Sequence, residues 1–230
     1  ERLHLSENLA VYSELMGGIA HQLNNPLIGV VNFSEVLLKE MDRDDPKKNL
    51  AETISRASKE CLRIITSVLN CIKDPYLTFS RIDIHEILTN SLQVAQEQFG
   101  DSLDKVSIKT LWNPNLSPIW GDGIQLKQCF LNILTNAIQA LPNGGSLQIE
   151  TKYDEKTKDV EIIFSDTGIG IPKEYLNKIF MPFVSLKKRG KRHGLGLSFA
   201  YQIVKNHGGH IHAQSESGLG STFTITLPAS

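Results

Sequence analysis

The sequence predicts an α+β protein in which a long helical hairpin precedes a two-layer α/β sandwich. Over 1–74, apolar residues recur at alternating spacings of three and four, as in a coiled-coil seam. Beyond this region, short strand-like segments alternate with helical ones, and a polar turn joins two strands into a hairpin. A length of 230 residues suits one extended and one compact domain, which we place at 1–76 and 77–230.

The first domain contains two helical patterns. The first spans about 5–41 and ends at an acidic segment closed by Pro46. Asp45 can cap the next helix, because a carboxylate accepts hydrogen bonds from free backbone N–H groups and proline is tolerated in a first turn. The second pattern reaches Ile72. Two helices alone cannot bury both seams, so we expect a homodimer in which two hairpins form a dimeric four-helix bundle.

The second domain is predicted to alternate strands and helices. Helices grouped between antiparallel strand pairs predict two layers, with the helices on one face of the sheet. Strands are expected at 81–84, 106–112, 147–153, 160–165, 210–215 and 221–227, and helices at 85–99, 124–141, 173–180 and 195–206.

Composition limits the partners and the compartment. A formal net charge of −1 gives no general attraction to nucleic acid or to anionic lipid, so we expect no nucleic-acid binding and no membrane contact by this fragment. No apolar run approaches the roughly 20 residues of a membrane span. Cys61, Cys71 and Cys129 lie in apolar helical patterns without metal-ligand spacing, which predicts reduced thiols. We expect a cytoplasmic location, with any membrane anchor in sequence upstream of this fragment.

One histidine, His21, stands beside the seam of the first helix rather than on it. A side chain at this position faces solvent, where an imidazole can react with a group brought to it. A lone histidine is more often an ordinary surface residue, and the bend expected at Pro26, one turn later, can serve packing alone. The nucleotide-type motifs of the second domain favour the reactive interpretation.

Asn132 and Asn136 lie one helical turn apart and share a face of their helix. Their amide oxygens can hold a hydrated Mg²⁺ against phosphate oxygens, because magnesium prefers oxygen ligands and keeps several waters. Solvation of a helix surface explains most such pairs, so this signal is weak by itself.

Three glycine-containing turns follow. Asp166 ends a strand and can accept a hydrogen bond from an adenine amino group, while Gly168 and Gly170 let the backbone approach a ligand closely. The segment 194–196 opens a helix, whose free N–H groups and dipole favour phosphate. The segment 218–222 alone would pass as a hairpin turn. None of the three matches a Rossmann or Walker loop, so their combination matters more than any one of them.

The order of these motifs resembles the catalytic core of the bacterial sensor histidine kinases of two-component signalling. That core is a dimerisation and phosphoacceptor hairpin followed by an ATP-binding domain of the gyrase, Hsp90 and MutL type. The resemblance covers nearly the whole chain. Segment 21–27 resembles the phosphoacceptor box and 128–140 the asparagine box. Segment 166–170 resembles the first glycine box and 179–184 the phenylalanine box. Segment 194–196 resembles the second glycine box, and 218–223 the last glycine box.

The resemblance implies ATP and Mg²⁺ as cofactors. Asp166 would bind adenine, and Asn132 and Asn136 would hold the metal and the phosphates. Segment 181–193 would be a lid over ATP. Its basic run is typical of a solvated loop or a nucleic-acid patch, but beside a triphosphate a contact with the γ-phosphate is favoured. The remaining implied nucleotide-binding residues are Gly168, Gly170, Phe180, Lys187, Lys188, Gly194, Leu195, Gly196 and Thr222.

The resemblance also implies a reaction. A neutral His21 would attack the γ-phosphoryl group of ATP and then pass it to an aspartate on a response-regulator receiver domain. Asn25, one turn after His21, would orient a water for the reverse, dephosphorylating activity. Gln22 stands where the family usually has an acidic residue, so the imidazole gains less support and autophosphorylation is expected to be slower. Arg192 and His193 replace a common Gly-Thr pair, which stiffens the lid.

Two alternatives remain open at this stage. One is an ATP-binding signalling module with weak or no kinase activity, which Gln22 supports. The other is a gyrase-, Hsp90- or MutL-like ATPase. The second alternative leaves the His21 hairpin unexplained and expects a glutamate base in the helix that here carries Gln128.

Overall fold

The computed structural model describes residues 26–42, 45–72, 77–185 and 194–229. The chain divides into two compact units, Glu1–Tyr76 and Leu77–Ser230. No helix among the described residues is both long enough and apolar enough to cross a bilayer. The bend expected between His21 and Pro26 lies outside these ranges, as do five predicted site residues: His21, Gln22, Asn25, Lys187 and Lys188.

The first unit contains a helical hairpin. Helix α1 is described over 26–40, and helix α2 spans Lys48–Ile72. As the sequence predicts, Asp45 stabilises the start of α2: its Oδ1 accepts a hydrogen bond of 2.8 Å from the Lys47 N–H. The two helices meet where the Glu35 carboxylate of α1 lies 2.7 Å from Lys59 Nζ of α2.

The buried residues of α1 and α2 have small side chains. Val31, Ser34, Ala51, Ser55 and Ser58 are buried. Larger apolar side chains of the same helices remain exposed in the single chain, and these are Ile28, Val30, Phe33, Val36, Leu37, Leu50 and Ile54. The hairpin alone therefore buries only part of its apolar surface.

The second unit holds a sheet covered by helices. Its elements in order are β1 (Ser80–Ile82), α3 (Ile84–Phe99), a 3₁₀ turn (Gly100–Leu103), β2 (Val106–Leu111), β3 (Ile119–Gly121), α4 (Gly123–Gln139), β4 (Gly145–Asp154), β5 (Asp159–Asp166), α5 (Lys173–Leu176), α6 (Gly196–Asn206), β6 (His210–Glu216) and β7 (Gly220–Pro228).

Five strands form the main sheet in the order β2-β4-β5-β7-β6, and β1 pairs with β3 in a separate two-stranded sheet. The predicted β4–β5 hairpin is confirmed. Neighbours in the main sheet are antiparallel except β2 and β4, which pair in parallel. The sequence predicted antiparallel pairs, so this parallel pair is a difference. It arises because β3 and α4 lie between β2 and β4 in the chain, and this connection lets β4 run in the same direction as β2.

The helices α3, α4 and α6 pack on one face of this sheet, which confirms the predicted two-layer α+β arrangement. Alternate residues of the central strands point into the core. The Phe130 ring of α4 lies 6.0 Å from the Phe164 ring of β5, and both side chains are almost wholly buried. Apolar burial over this face is the main stabilising contribution to the unit.

Element ends differ from the predictions for local reasons. The first strand ends at Ile82 because Asp83 caps α3, accepting a hydrogen bond from the His85 N–H at 2.8 Å. The helix expected over 173–180 ends at Leu176, since the following backbone bonds, such as Lys178 N–H to the Tyr175 carbonyl, are three-residue turns. Strand β3 was not predicted, because it forms by antiparallel pairing with the distant β1, which no local pattern records.

Asp122 and His207 join the two helices that carry most of the predicted site. The Asp122 carboxylate caps α4 through the Ile124 N–H (3.0 Å) and also accepts from the Thr78 N–H (3.0 Å). Its own N–H donates to His207 Nε2 at 3.0 Å, and His207 Nδ1 lies 2.7 Å from the Ile203 carbonyl. A carbonyl only accepts, so Nδ1 carries the proton and Nε2 is the acceptor.

His207→Ala is expected to destabilise the protein by about 2 kcal/mol, because it leaves the buried Asp122 N–H without an acceptor. Urea unfolding of the full chain measures this change. His210→Ala, an exposed histidine three residues away, is the control and should change stability by less than about 0.5 kcal/mol. Equal effects of the two substitutions would contradict the role of His207.

Candidate functional site

Helix α4 presents a polar stripe formed by Gln128, Asn132 and Asn136. The opposite face of α4 is buried in the core, so the polar stripe is the side that a ligand can reach. Gln128 Nε2 donates to Asn132 Oδ1 at 3.1 Å, which fixes the direction of the Asn132 amide. Asn132 Nδ2 is buried and has no hydrogen-bond partner among the described residues. A buried donor of this kind is costly unless a ligand satisfies it.

The start of α6 lies against this stripe. A Cβ placed on Gly196 would be 3.8 Å from Asn132 Oδ1, so the first residue of α6 is next to the asparagine. Leu195 precedes α6 and supplies no side-chain cap, which leaves the first N–H groups of the helix available to an anion. The structure thus brings together Asn132, Leu195 and Gly196.

Gly194 shapes the approach to α6. It has a φ of +67°, and a Cβ there would lie 2.6 Å from the Val184 carbonyl oxygen. The Gly194 carbonyl accepts a hydrogen bond of 3.0 Å from the Phe183 N–H. Glycine is required at this position by both the left-handed backbone and the close contact.

The turn after β5 packs backbone against backbone. The Asp166 carboxylate accepts a hydrogen bond of 2.9 Å from the Gly168 N–H. A Cβ on Gly168 would meet the Ala140 carbonyl oxygen at 2.3 Å, and one on Gly170, which has a φ of +66°, would meet the Glu216 carbonyl oxygen at 2.0 Å. These two glycines therefore permit contacts with the end of α4 and of β6 that no side chain would allow.

Phe180 and Thr222, both predicted to bind the nucleotide, make contacts with neighbouring elements in the structure. Phe180 is half-buried and packs on Tyr201 of α6, with ring centroids 5.7 Å apart, so it supports α6. Thr222 pairs in register with Ser165 and its Oγ1 lies 3.1 Å from Ser165 Oγ. Paired residues share a face of the sheet, and Thr222 is therefore on the opposite face from Asp166.

Ser221, rather than Thr222, shares a face of the sheet with Asp166. It pairs with Asp166 in register, is 5% exposed, and its backbone is hydrogen-bonded to the Asp166 carboxylate. Strand alternation counted from the core residue Phe223 would have identified Ser221, since residues two apart point to the same face. Sequence reasoning chose its neighbour from the motif alone.

Asp166 is the buried acid of the site, with 6% of its surface exposed. Burial raises the pKa of this carboxyl above its usual value, and hydrogen bonds from the backbones of Gly168 and Ser221 partly offset the rise. In the pH interval between the usual and the raised pKa, the folded protein binds more protons than the unfolded chain. Stability contributed by this group therefore falls as pH rises through that interval, and the ionised carboxylate destabilises the ligand-free site at neutral pH.

If Asp166 binds adenine as the resemblance implies, Asp166→Asn is expected to weaken ADP binding by about tenfold to a hundredfold, because a charge-assisted acceptor for the amino group is lost. The thermal midpoint without nucleotide at pH 7 should change little, since removal of the buried charge is offset by the loss of one of the two oxygens that accept from the Gly168 and Ser221 backbones. Calorimetric titration and thermal melts test both effects. Asp159→Asn, at the other end of β5, is the control, and unchanged ADP affinity of the Asp166→Asn variant would oppose the assignment.

The fold and the site together define a nucleotide-binding α/β sandwich. Family comparison assigns residues 121–230 to the histidine kinase-, DNA gyrase B- and HSP90-like ATPase family, and residues 12–72 to the His Kinase A (phospho-acceptor) domain. The chain belongs to the sensor histidine kinases of two-component signalling and corresponds to their catalytic core.

One curated relative agrees with this assignment, and two solved structures share the fold. Sporulation kinase E of Bacillus subtilis is 33% identical over 99% of this chain and 30% of its own length. The structure of full-length ShkA in complex with AMPPNP has 21% identity and a TM-score of 0.79, covering 94% of this chain and 45% of that one. The structure of ThkA in complex with the response regulator TrrA has 22% identity and a TM-score of 0.66, with coverages of 98% and 64%. The chain spans at most about half the length of the curated relatives it matches.

Proposed function

We propose that this chain autophosphorylates His21 from Mg·ATP and passes the phosphoryl group to an aspartate of a response-regulator receiver domain. The observation that carries the proposal is that α4 holds Asn132 beside the start of α6 and Ala140, at its C-terminal end, beside the glycine turn of Asp166, in a domain attached to a phosphoacceptor hairpin. The phosphoacceptor family match over 12–72 includes His21.

ATP would lie with adenine near Asp166 and phosphates between Asn132 and the start of α6. The unpartnered Asn132 Nδ2 fits this placement, because an amide N–H is a donor for a phosphate oxygen. The amide oxygens of Asn132 and Asn136 fit a magnesium ion, which neutralises phosphate charge when bound. Lys187 or Lys188 would add a contact to the γ-phosphate.

The reaction requires a neutral His21. Its Nε2 lone pair attacks the γ-phosphorus, a P–N bond forms, the bond to the bridging oxygen breaks, and ADP leaves with that electron pair. The phosphoryl group then moves from nitrogen to an aspartate oxygen of the receiver. Asn25 would orient the water of the reverse, dephosphorylating reaction. ThkA, a structural neighbour, has been solved with a response regulator, in keeping with such a partner.

The two alternatives are less favoured. A gyrase-type ATPase needs a carboxylate to activate water, whereas here the Gln128 amide donates to Asn132 and cannot act as a base. A module that only binds ATP leaves the solvent-facing position predicted for His21 without a purpose.

Incubation with γ-labelled ATP and Mg²⁺ tests the proposal. We expect acid-labile, base-stable label on the parent protein and background label on His21→Gln, because the substitution removes the proposed attacking nitrogen. His212→Gln, an exposed histidine of β6, is the control and should be labelled like the parent. Free phosphate without protein label would indicate an ATPase, and neither signal would indicate a binding module.

The homodimer would form through the exposed apolar side chains of the hairpin. Val30, Phe33 and Leu37 recur at spacings of three and four on α1, and Phe33 is 77% exposed in the single chain. Exposure of this much apolar surface on one side of a helix is typical of an interface.

Phe33→Asp is expected to raise the dimer dissociation constant at least about tenfold, because it places a charge in the apolar stripe. Sedimentation at several concentrations measures the constant. Asn49→Asp adds a negative charge at an exposed position of α2, about 100° or more round the helix from Leu50 and Ile54, and should leave the dimer intact. A parent protein that stays monomeric at every concentration would refute the dimer.

A further inference from the structure

We propose that Ser215, on β6, is a positioning residue for base selection: it fixes the Ser221 hydroxyl as a hydrogen-bond acceptor beside Asp166, so that this end of the site favours an amino-substituted purine. The inference rests on the proposed nucleotide site and concerns a residue outside its recognised motifs.

Three polar side chains form a row across the ends of three neighbouring strands. Asp166 of β5 pairs in register with Ser221 of β7, and Ser221 pairs with Ser215 of β6. Residues paired in this way project to the same face of the sheet. Asp166 and Ser221 are 6% and 5% exposed, so the row is largely shielded from water.

The hydrogen bonds of Ser215 determine where its proton lies. Its Oγ is 2.6 Å from the Gly220 carbonyl oxygen, which can only accept, so the Ser215 proton points there. Its lone pairs receive the Ile171 N–H at 2.8 Å and face Ser221 Oγ at 3.0 Å. Because Ser215 has one proton and uses it on Gly220, Ser221 must be the donor in the bond between the two hydroxyls.

The direction of that bond decides what Ser221 offers to a ligand. With its proton committed to Ser215, Ser221 presents only oxygen lone pairs, and the ionised Asp166 also presents only acceptors. Two acceptors side by side suit the amino group of adenine and repel the carbonyl oxygen of hypoxanthine. Without Ser215, the Ser221 hydroxyl can rotate and donate to such a carbonyl oxygen.

Ser215 also ties the two turns that flank the row. It links Ile171, at the end of the glycine turn, to Gly220, at the start of β7. Gly220 has a φ of +109°, and a Cβ there would be 2.0 Å from the Asp166 carbonyl oxygen, so these backbones are in direct contact. A purely structural role of Ser215 would therefore change the affinity for all nucleotides equally, whereas the proposed role changes their ratio.

The test is calorimetric binding of ADP and IDP to the full chain, with the ratio of the two affinities as the readout. Ser215→Ala is expected to reduce the preference for ADP about tenfold, and Ser215→Thr, which keeps the hydroxyl, should retain it. Ser165→Ala removes the matched hydroxyl pair on the opposite face of the sheet and should leave the ratio unchanged.

A second variant keeps the test decisive if Ser215→Ala fails to fold. Ser215→Cys keeps nearly the same volume but has only a weak S–H donor, so it is expected to lower the ratio in the same direction. Ser221→Ala removes the acceptor itself and is also expected to lower the ratio. Parallel losses of ADP and IDP affinity, or an unchanged ratio in either variant, would overturn the inference. Absence of nucleotide binding by the parent protein would instead refute the proposed function, and this inference with it.

Discussion

Burial of helix α4 against α3, α6 and the sheet is the constraint on which both the core and the nucleotide site depend. The wholly buried side chains of α4 include Leu126, Phe130 and Leu134. Because side chains follow a period of 3.6 residues, fixing this apolar face also fixes where Asn132 and Asn136 point. Asp122 then holds the start of the helix, and its N–H to His207 ties α4 to α6. The packing of the core therefore determines the positions of the side chains that face the ligand.

The Asp166 end of the site, where we propose that adenine binds, depends on contacts between backbones. Gly168, Gly170 and Gly220 allow three chain segments to approach more closely than any side chain permits. This close packing buries Asp166, and the burial raises the pKa of its carboxyl. An ionised acid in such a place destabilises the ligand-free protein and is stabilised by hydrogen bonds to a ligand. Asp166 therefore lowers the stability of the ligand-free protein and, in the proposed complex, increases the affinity for the nucleotide, as is common at functional sites.

Sequence reasoning succeeded where a pattern is long or a motif is chemically specific. The helices around Asn132 and along α2 show many turns of apolar periodicity, and the β4–β5 hairpin has a clear polar turn, so their predictions were confirmed within a few residues. Strand β3 depends on pairing with the distant β1, which no local pattern records. The sequence motif alone favoured Thr222 as a site residue over its neighbour Ser221. Both residues belong to the same motif, and only the strand register, which pairs Ser221 with Asp166, distinguishes them.

The sequence by itself determined the α+β class, the two-part organisation expected for the chain and the candidate residues Asn132, Asn136 and Asp166, because helical period, strand alternation and side-chain chemistry are local properties. Tertiary structure alone decided the parallel pairing of β2 with β4 and the contact between α6 and Asn132. It also decided the direction of the Ser215 and Ser221 hydroxyls. These features depend on register and distance between segments far apart in the chain, which no local pattern records.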